Sequence, residues 1–170
     1  RNLEKVVFGN AVKRIGTSAF LFCTSLTNIT IPDSVISIGQ GAFSDCTSLI
    51  QTENGVSYVD KWAIDCDESV TTVTLRENTV GIGECAFACC GNLTDVTLSD
   101  SVHIICEGAF HSCTSLKSLT LPAGVKYIGE QIICYCKKTR ICCKKKNRIF
   151  DTCNNINRII LYNNNVYFFR

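Results

Sequence analysis

Leu26 to Ser48, LTNITIPDSVISIGQGAFSDCTS, carries the pattern from which the fold follows. Leu93 to Ser115, LTDVTLSDSVHIICEGAFHSCTS, repeats its order of apolar and polar residues, and so does Leu3 to Ser25, LEKVVFGNAVKRIGTSAFLFCTS. Val70 to Asn92, VTTVTLRENTVGIGECAFACCGN, follows the same template, and Leu116 to Lys138, LKSLTLPAGVKYIGEQIICYCKK, keeps it as far as Glu130. These five units are 23 residues long, and Leu49 to Ser69 between them is an irregular copy of 21. Self-similarity at a fixed period of this size marks an array in which each repeat is one supersecondary unit.

Each unit reads as one coil. Leu26, Ile29 and Ile31 alternate with Thr27, Asn28 and Thr30, a period-two, β-branched pattern that predicts a short strand. Pro32-Asp33 ends it in a turn. Val35 and Ile38 form a second apolar pair before Gly39, where positive φ is expected at a corner. Ala42-Phe43, then Cys46 and Leu49, have spacings that suit a single helical or 3₁₀ turn. A lone coil buries too little to offset its chain entropy, so neighbours must stack. The expectation is a solenoid of about six coils with one parallel strand each, stacked about 4.8 Å apart.

The composition fits an ordered protein: 46% of the 170 residues are hydrophobic and 19% charged. No apolar run approaches the roughly 18 residues of a membrane span, and RNLEKVVFGNAV lacks the layout of a signal peptide. The chain has no Met, so Arg1 is expected to be a processing point or a cut in a longer protein. Thirteen cysteines suggest a disulfide scaffold, but the count is odd. Cys23, Cys46, Cys90, Cys113 and Cys136 also follow the repeat, at intervals of 23, 44, 23 and 23, which favours a buried column of reduced thiols.

LTNITIPDSVISIGQGAF followed by CTSL closely resembles the BspA-type leucine-rich repeats of bacterial and some protist surface proteins, which have 23-residue units. The resemblance covers about residues 3 to 136. It implies a curved leucine-rich repeat solenoid with parallel strands, an extracellular or cell-surface location, and adhesion to a protein or glycan partner on host matrix or another cell. It implies no small-molecule substrate.

Outward-facing positions of the predicted strands are the candidate partner surface: Thr27, Asn28 and Thr30; Thr72 and Thr74; Asp95 and Thr97; Ser118 and Thr120. Threonine is also simply a good solvent-facing strand residue, and a hydroxyl strip suits ice or carbohydrate as well as protein. In the irregular copy, Gly55 to Val59 and Trp62 to Ile64 read as two strands joined at Asp60-Lys61. They bring Tyr58 and Trp62, the only Trp, into one element, either as exposed anchors for a partner or as core filling. Thiol catalysis needs an adjacent base, and the only histidines, His103 and His111, have no orienting group that the sequence reveals. The chain is therefore read as a non-enzyme without cofactor, either a binding module or a repeat spacer with no ligand of its own.

Residues 1–136 hold 8 Lys/Arg and 14 Asp/Glu, a net −6, whereas residues 137–170 hold 9 and 1, a net +8. The sequence reading therefore ends the solenoid at residue 136. The tail after it has seven Asn and no Gly or Pro. It reads as a basic arm for an acidic surface, nucleic acid or membrane; as a metal site using Cys134, Cys136, Cys142, Cys143 and Cys153; or, preferred, as a degenerate or out-of-frame end-piece. If folded, Arg158 to Tyr162 and Val166 to Phe169 form a capping hairpin. The first coil has no polar cap, so further repeats are expected before it.

Overall fold

A computed structural model describes residues 2–137 and 139–143. They form a solenoid in which neighbouring coils pair in parallel, with no helix among the described residues. The strands are β1 (Arg14–Ile15), β2 (Ser37–Ile38), β3 (Gln51–Glu53), β4 (Val56–Val59), β5 (Trp62–Cys66), β6 (Thr72–Thr74), β7 (Gly81–Ile82), β8 (Asp95–Thr97), β9 (Ile104–Ile105), β10 (Ser118–Leu121), β11 (Tyr127–Ile128) and β12 (Arg140–Cys143).

There are two ladders per coil rather than one. The expected strand at the leucine end forms the first: β6 pairs with β8, β10 with β12, and Lys5 bridges Asn28. The second lies at the Val-x-x-Ile pair, where β1 pairs with β2 and β5, β7, β9 and β11 pair in series. Ile15, Ile38, Ile82 and Ile105 from this ladder are all buried. Only two residues per coil enter it, too few for period-two alternation to show in the sequence.

The predicted helical turn is instead a string of tight turns, and the hydrogen bonds show why. In the first coil Ala19, Leu21 and Cys23 donate N–H to the carbonyl three residues back, while Ser18, Phe20 and Phe22 donate to Gln40, Ala42 and Ser44 of the next coil. Cys85, Phe87 and Cys89 reach across in the same way. A helix would turn every N–H inward along its own axis, so this alternation excludes one. It requires left-handed residues twice per coil, at Ser18 and Phe22, Gly41 and Asp45, Cys85 and Cys89, Gly108 and Ser112, and Gln131 and Tyr135.

Gly39, expected at positive φ, is not left-handed; the left-handed residue is Gly41, at φ 63°. Gly39 is needed for close approach. A Cβ there would lie 2.4 Å from the Thr17 backbone N, and one at the equivalent Gly129 2.3 Å from that of Glu107. Cys106 fills the same slot in the fifth coil, buried, with its Sγ 3.9 Å from the Ile36 carbonyl.

The irregular copy is an antiparallel three-stranded meander, β3-β4-β5, with β5 feeding the parallel ladder. Its second hairpin turns at Asp60-Lys61, as the sequence reading has it. The first turns at Asn54-Gly55, both at positive φ, a pair that marks a two-residue hairpin loop. The meander divides the interior in two. Val59 and Trp62 join the core of the first two coils, while Val56, Tyr58, Ala63 and Cys66 join that of the later coils. The ring column breaks there as well: Phe20 stacks on Phe43 at 5.2 Å and Phe87 on Phe110 at 5.0 Å.

The described cysteines are free, and Cys23, Cys46, Cys90, Cys113 and Cys136 are buried in one column, with Cys66 filling the slot of the irregular coil. Cys46, Cys113 and Cys136 each donate S–H to the carbonyl of the phenylalanine 26 residues earlier, Phe20, Phe87 and Phe110, at 3.0 Å. Burial pushes the Cys106 thiol up to about 11, and burial likewise raises Cys46. The hydrogen bond with Cys136, and then burial, holds Cys113 far above the ordinary thiol range.

Pairing continues past residue 136. Arg140–Cys143 lies parallel to Ser118–Leu121, Ile141 enters the core, and buried Thr139 occupies the leucine slot with its Oγ1 donating to the Leu116 carbonyl at 2.8 Å. The capping hairpin at 158–169 lies outside the described residues.

Three outcomes follow from this packing. Gly39→Ala and Gly129→Ala each lower unfolding free energy in urea by about 1–3 kcal/mol through overpacking, whereas Gly16→Ala, whose Cβ meets nothing within 4 Å, changes it by under about 0.5 kcal/mol. Thr79 stands in a buried slot that other coils fill with Val35, Val102 and Val125, and its Oγ1 has no partner. Thr79→Val should therefore stabilise the fold by about 1 kcal/mol or more, read in the same titrations. Finally, a thiol with a raised folded pKa binds its proton more tightly when folded. Its contribution is complete below the unfolded thiol value and is lost as pH rises through the folded one. Tm should fall between about pH 9 and 11, and less steeply in Cys106→Ala.

Candidate partner-binding surface

The first ladder turns alternate residues outward. In β6 and β8, Val73 and Val96 are buried, whereas Thr72, Thr74, Asp95 and Thr97 are exposed, with Thr72 opposite Asp95 and Thr74 opposite Thr97. In β10, Leu119 and Leu121 are buried, and Ser118 and Thr120 are half-buried opposite Arg140 and Cys142. The structure thus gathers Thr72, Thr74, Asp95, Thr97, Ser118 and Thr120 onto one face of successive strands. The face is bound mostly by its own backbone. The Thr94 hydroxyl donates to the Thr71 carbonyl at 3.1 Å, and Lys117 lies 3.7 Å from Asp95 in an exposed ion pair.

Thr27, Asn28 and Thr30 are also exposed, beside Lys5 on the first two coils. No strand pairing joins them to the larger strip: Asn28 bridges Lys5, whereas β6 pairs with β8 and β3 pairs with β4. There Arg76 forms a junction of its own: Nε is 2.6 Å from Glu53, Nη1 donates to Gln51 at 3.1 Å, and the guanidinium sits 4.2 Å above the Tyr58 ring. No motif marks Arg76; its one signal in the sequence is a charged residue in the slot that other coils fill with Pro32, Ser99 and Pro122.

Tyr58 and Trp62 stand apart from this surface. Both are 2% exposed, so neither ring is presented to a partner in this fold. Tyr58 fills the later core while its hydroxyl accepts the Arg76 backbone N–H at 3.4 Å, and burial raises the pKa of that hydroxyl. Trp62 lies over Gly81, on the other side of the division between the cores. Their size compensates for the Phe that the irregular copy lacks.

Of the other candidates, Cys153 and the side chain of Cys143 lie outside the described residues. The Nδ1 of His103 contacts the Ser101 carbonyl, and that of His111 lies 2.9 Å from the Ser112 hydroxyl. Cys134 and Cys136 are buried and Cys142 is exposed, and among the described residues no group of three or more His, Cys, Asp or Glu is placed to hold a metal. Among those residues no helix is long and apolar enough to cross a membrane.

Solved structures with the same repeat accompany this geometry. A leucine-rich repeat protein from Eubacterium ventriosum is similar at 22% identity and a TM-score of 0.56, over 86% of this chain and 43% of that one, and so shares the fold. A leucine-rich cell surface protein from Faecalibacterium prausnitzii is 34% identical over 79% of this chain and 30% of its own, with a TM-score of 0.45. A leucine-rich repeat protein of T. pallidum is 29% identical over 76% and 51%, with a TM-score of 0.41. The chain thus spans about half the length of these proteins or less. No curated protein matches it. The model of the BspA type leucine rich repeat region matches in six copies over residues 1–96 and 81–169, the same period that builds the two ladders and the thiol column, and the chain belongs to that family.

Proposed function

We propose that the chain is a non-enzymatic recognition module of a cell-surface protein, holding a protein or glycan partner against the strip formed by β6, β8 and β10. The observation that carries this reading is the strip itself: hydroxyls from Thr72, Thr74, Thr97, Ser118 and Thr120 project from stacked strands, and the charges of Asp95 and Lys117 compensate each other. A rigid ladder pre-organises these donors and acceptors, so a partner loses little freedom in the protein on docking. The similarity to a leucine-rich cell surface protein from Faecalibacterium prausnitzii supports the location. The Nδ1 atoms of His103 and His111 are engaged by the Ser101 carbonyl and the Ser112 hydroxyl, which supports a non-enzymatic reading.

The test is binding of the immobilised chain to a panel of extracellular-matrix proteins and to intact epithelial cells. Binding is expected, and Thr72→Lys/Thr74→Lys/Thr97→Lys should weaken it by about tenfold or more, since crowding and like charge at a pre-organised face remove over about 1.4 kcal/mol. Unaltered melting of the triple variant is the folding control. No binding, or binding indifferent to the triple change, leaves the chain a structural spacer.

A further inference from the structure

The second ladder has an outward face as well, and its chemistry differs from that of the strip. The Val80 N–H donates to the Lys61 carbonyl at 2.8 Å, that of His103 to Val80 at 2.9 Å, and that of Lys126 to His103 at 2.7 Å. Lys61 and Lys126 therefore stand three ladder steps apart, about 14 Å. In the adjacent register Trp62, Gly81, Ile104 and Tyr127 lie side by side. Gly81 has no side chain, and the Trp62 ring lies across its place, since a Cβ there would be 2.4 Å from Trp62 Cε3. The result is a trough of about 530 Å³, floored by Ile104 and Tyr127 beside the buried Trp62 ring and walled by Ile31, Pro32 and Ile36 of the second coil.

Lys61 and Lys126 are exposed on its margin, and among the described residues neither makes an ion pair; Asp33 is the one acid in its lining. Two unpaired cations at opposite ends of an apolar floor complement a ligand that is apolar in the middle and anionic at two points. An extended chain rises about 3.3 Å per residue, so residues four apart match the separation of the lysines. A fatty acid carries a single carboxylate and leaves one lysine unmatched. The chain's own segment 144–170, with six Lys/Arg and one Asp, has the wrong sign.

We propose that this trough binds an extended acidic segment of a partner protein, with apolar side chains on the half-buried Ile104 and Tyr127 and carboxylates four residues apart on Lys61 and Lys126. The site is separate from the threonine strip and does not rest on it. Affinity comes from apolar burial in the trough, and the two lysines set register and association rate.

The experiment selects phage-displayed random 12-residue peptides on the full chain, with Lys61→Glu/Lys126→Glu in counter-selection, and then titrates the synthetic consensus peptide by fluorescence anisotropy. The expected consensus has two acidic residues four apart around apolar ones. Its Kd should rise about tenfold or more in the charge-reversed variant and with ionic strength, and should be unchanged in Thr72→Lys/Thr74→Lys/Thr97→Lys. Both lysines are exposed and unpaired, so the variant should melt as the parent does. No enrichment, a neutral or basic consensus, affinity indifferent to charge reversal, or saturable binding of dodecanoate in place of peptide would each overturn the proposal.

Discussion

Backbone hydrogen bonds between one coil and the next set the terms for the rest of the molecule. Where the coil turns, alternate N–H groups go to the neighbouring coil and the others close tight turns within their own. That division fixes the spacing of coils, the two left-handed residues in each and the glycine-sized slot at Gly39 and Gly129. Side chains then stack by type, phenylalanine on phenylalanine and thiol under carbonyl, because the backbone places equivalent positions above one another.

The cysteines illustrate how a repeat converts local chemistry into architecture. In that slot the thiol combines apolar volume with a weak donor aimed at the phenylalanine carbonyl one coil back. Burial favours the protonated form, which is also the form that donates, so packing and hydrogen bonding reinforce each other. The cysteine excess is thus a property of the stack.

Period and polarity made the coil, the first ladder, the outward threonines and the hairpin at Asp60-Lys61 readable in the sequence, because each depends on an alternation over several residues. The second ladder was hidden since it takes only two residues per coil. The turn string passed for a helix because its i, i+3 spacings are the same, while the left-handed conformation falls on Ser, Phe, Asp, Cys, Gln and Tyr as well as Gly and leaves no residue signature. Of the candidate surface, the threonine positions follow from alternation alone. The break in strand pairing before β6, the burial of Tyr58 and Trp62 and the junction at Arg76 depend on how the irregular copy packs, which no periodicity encodes.

The irregular copy leaves the protein with two apolar interiors where an unbroken array would have one. Val59, Trp62 and Cys106 join the first, and Val56, Tyr58, Ala63 and Cys66 the second, and the two halves also meet directly, where the Glu84 N–H donates to the Ile38 carbonyl at 2.8 Å and the Ser37 hydroxyl donates to the Glu84 carboxylate at 2.7 Å. In a chain of nearest-neighbour interactions, the contacts at such a junction decide whether the two interiors melt as one cooperative unit. Substitutions at Ser37 or Glu84 therefore act on how the two interiors are coupled more than on either interior itself.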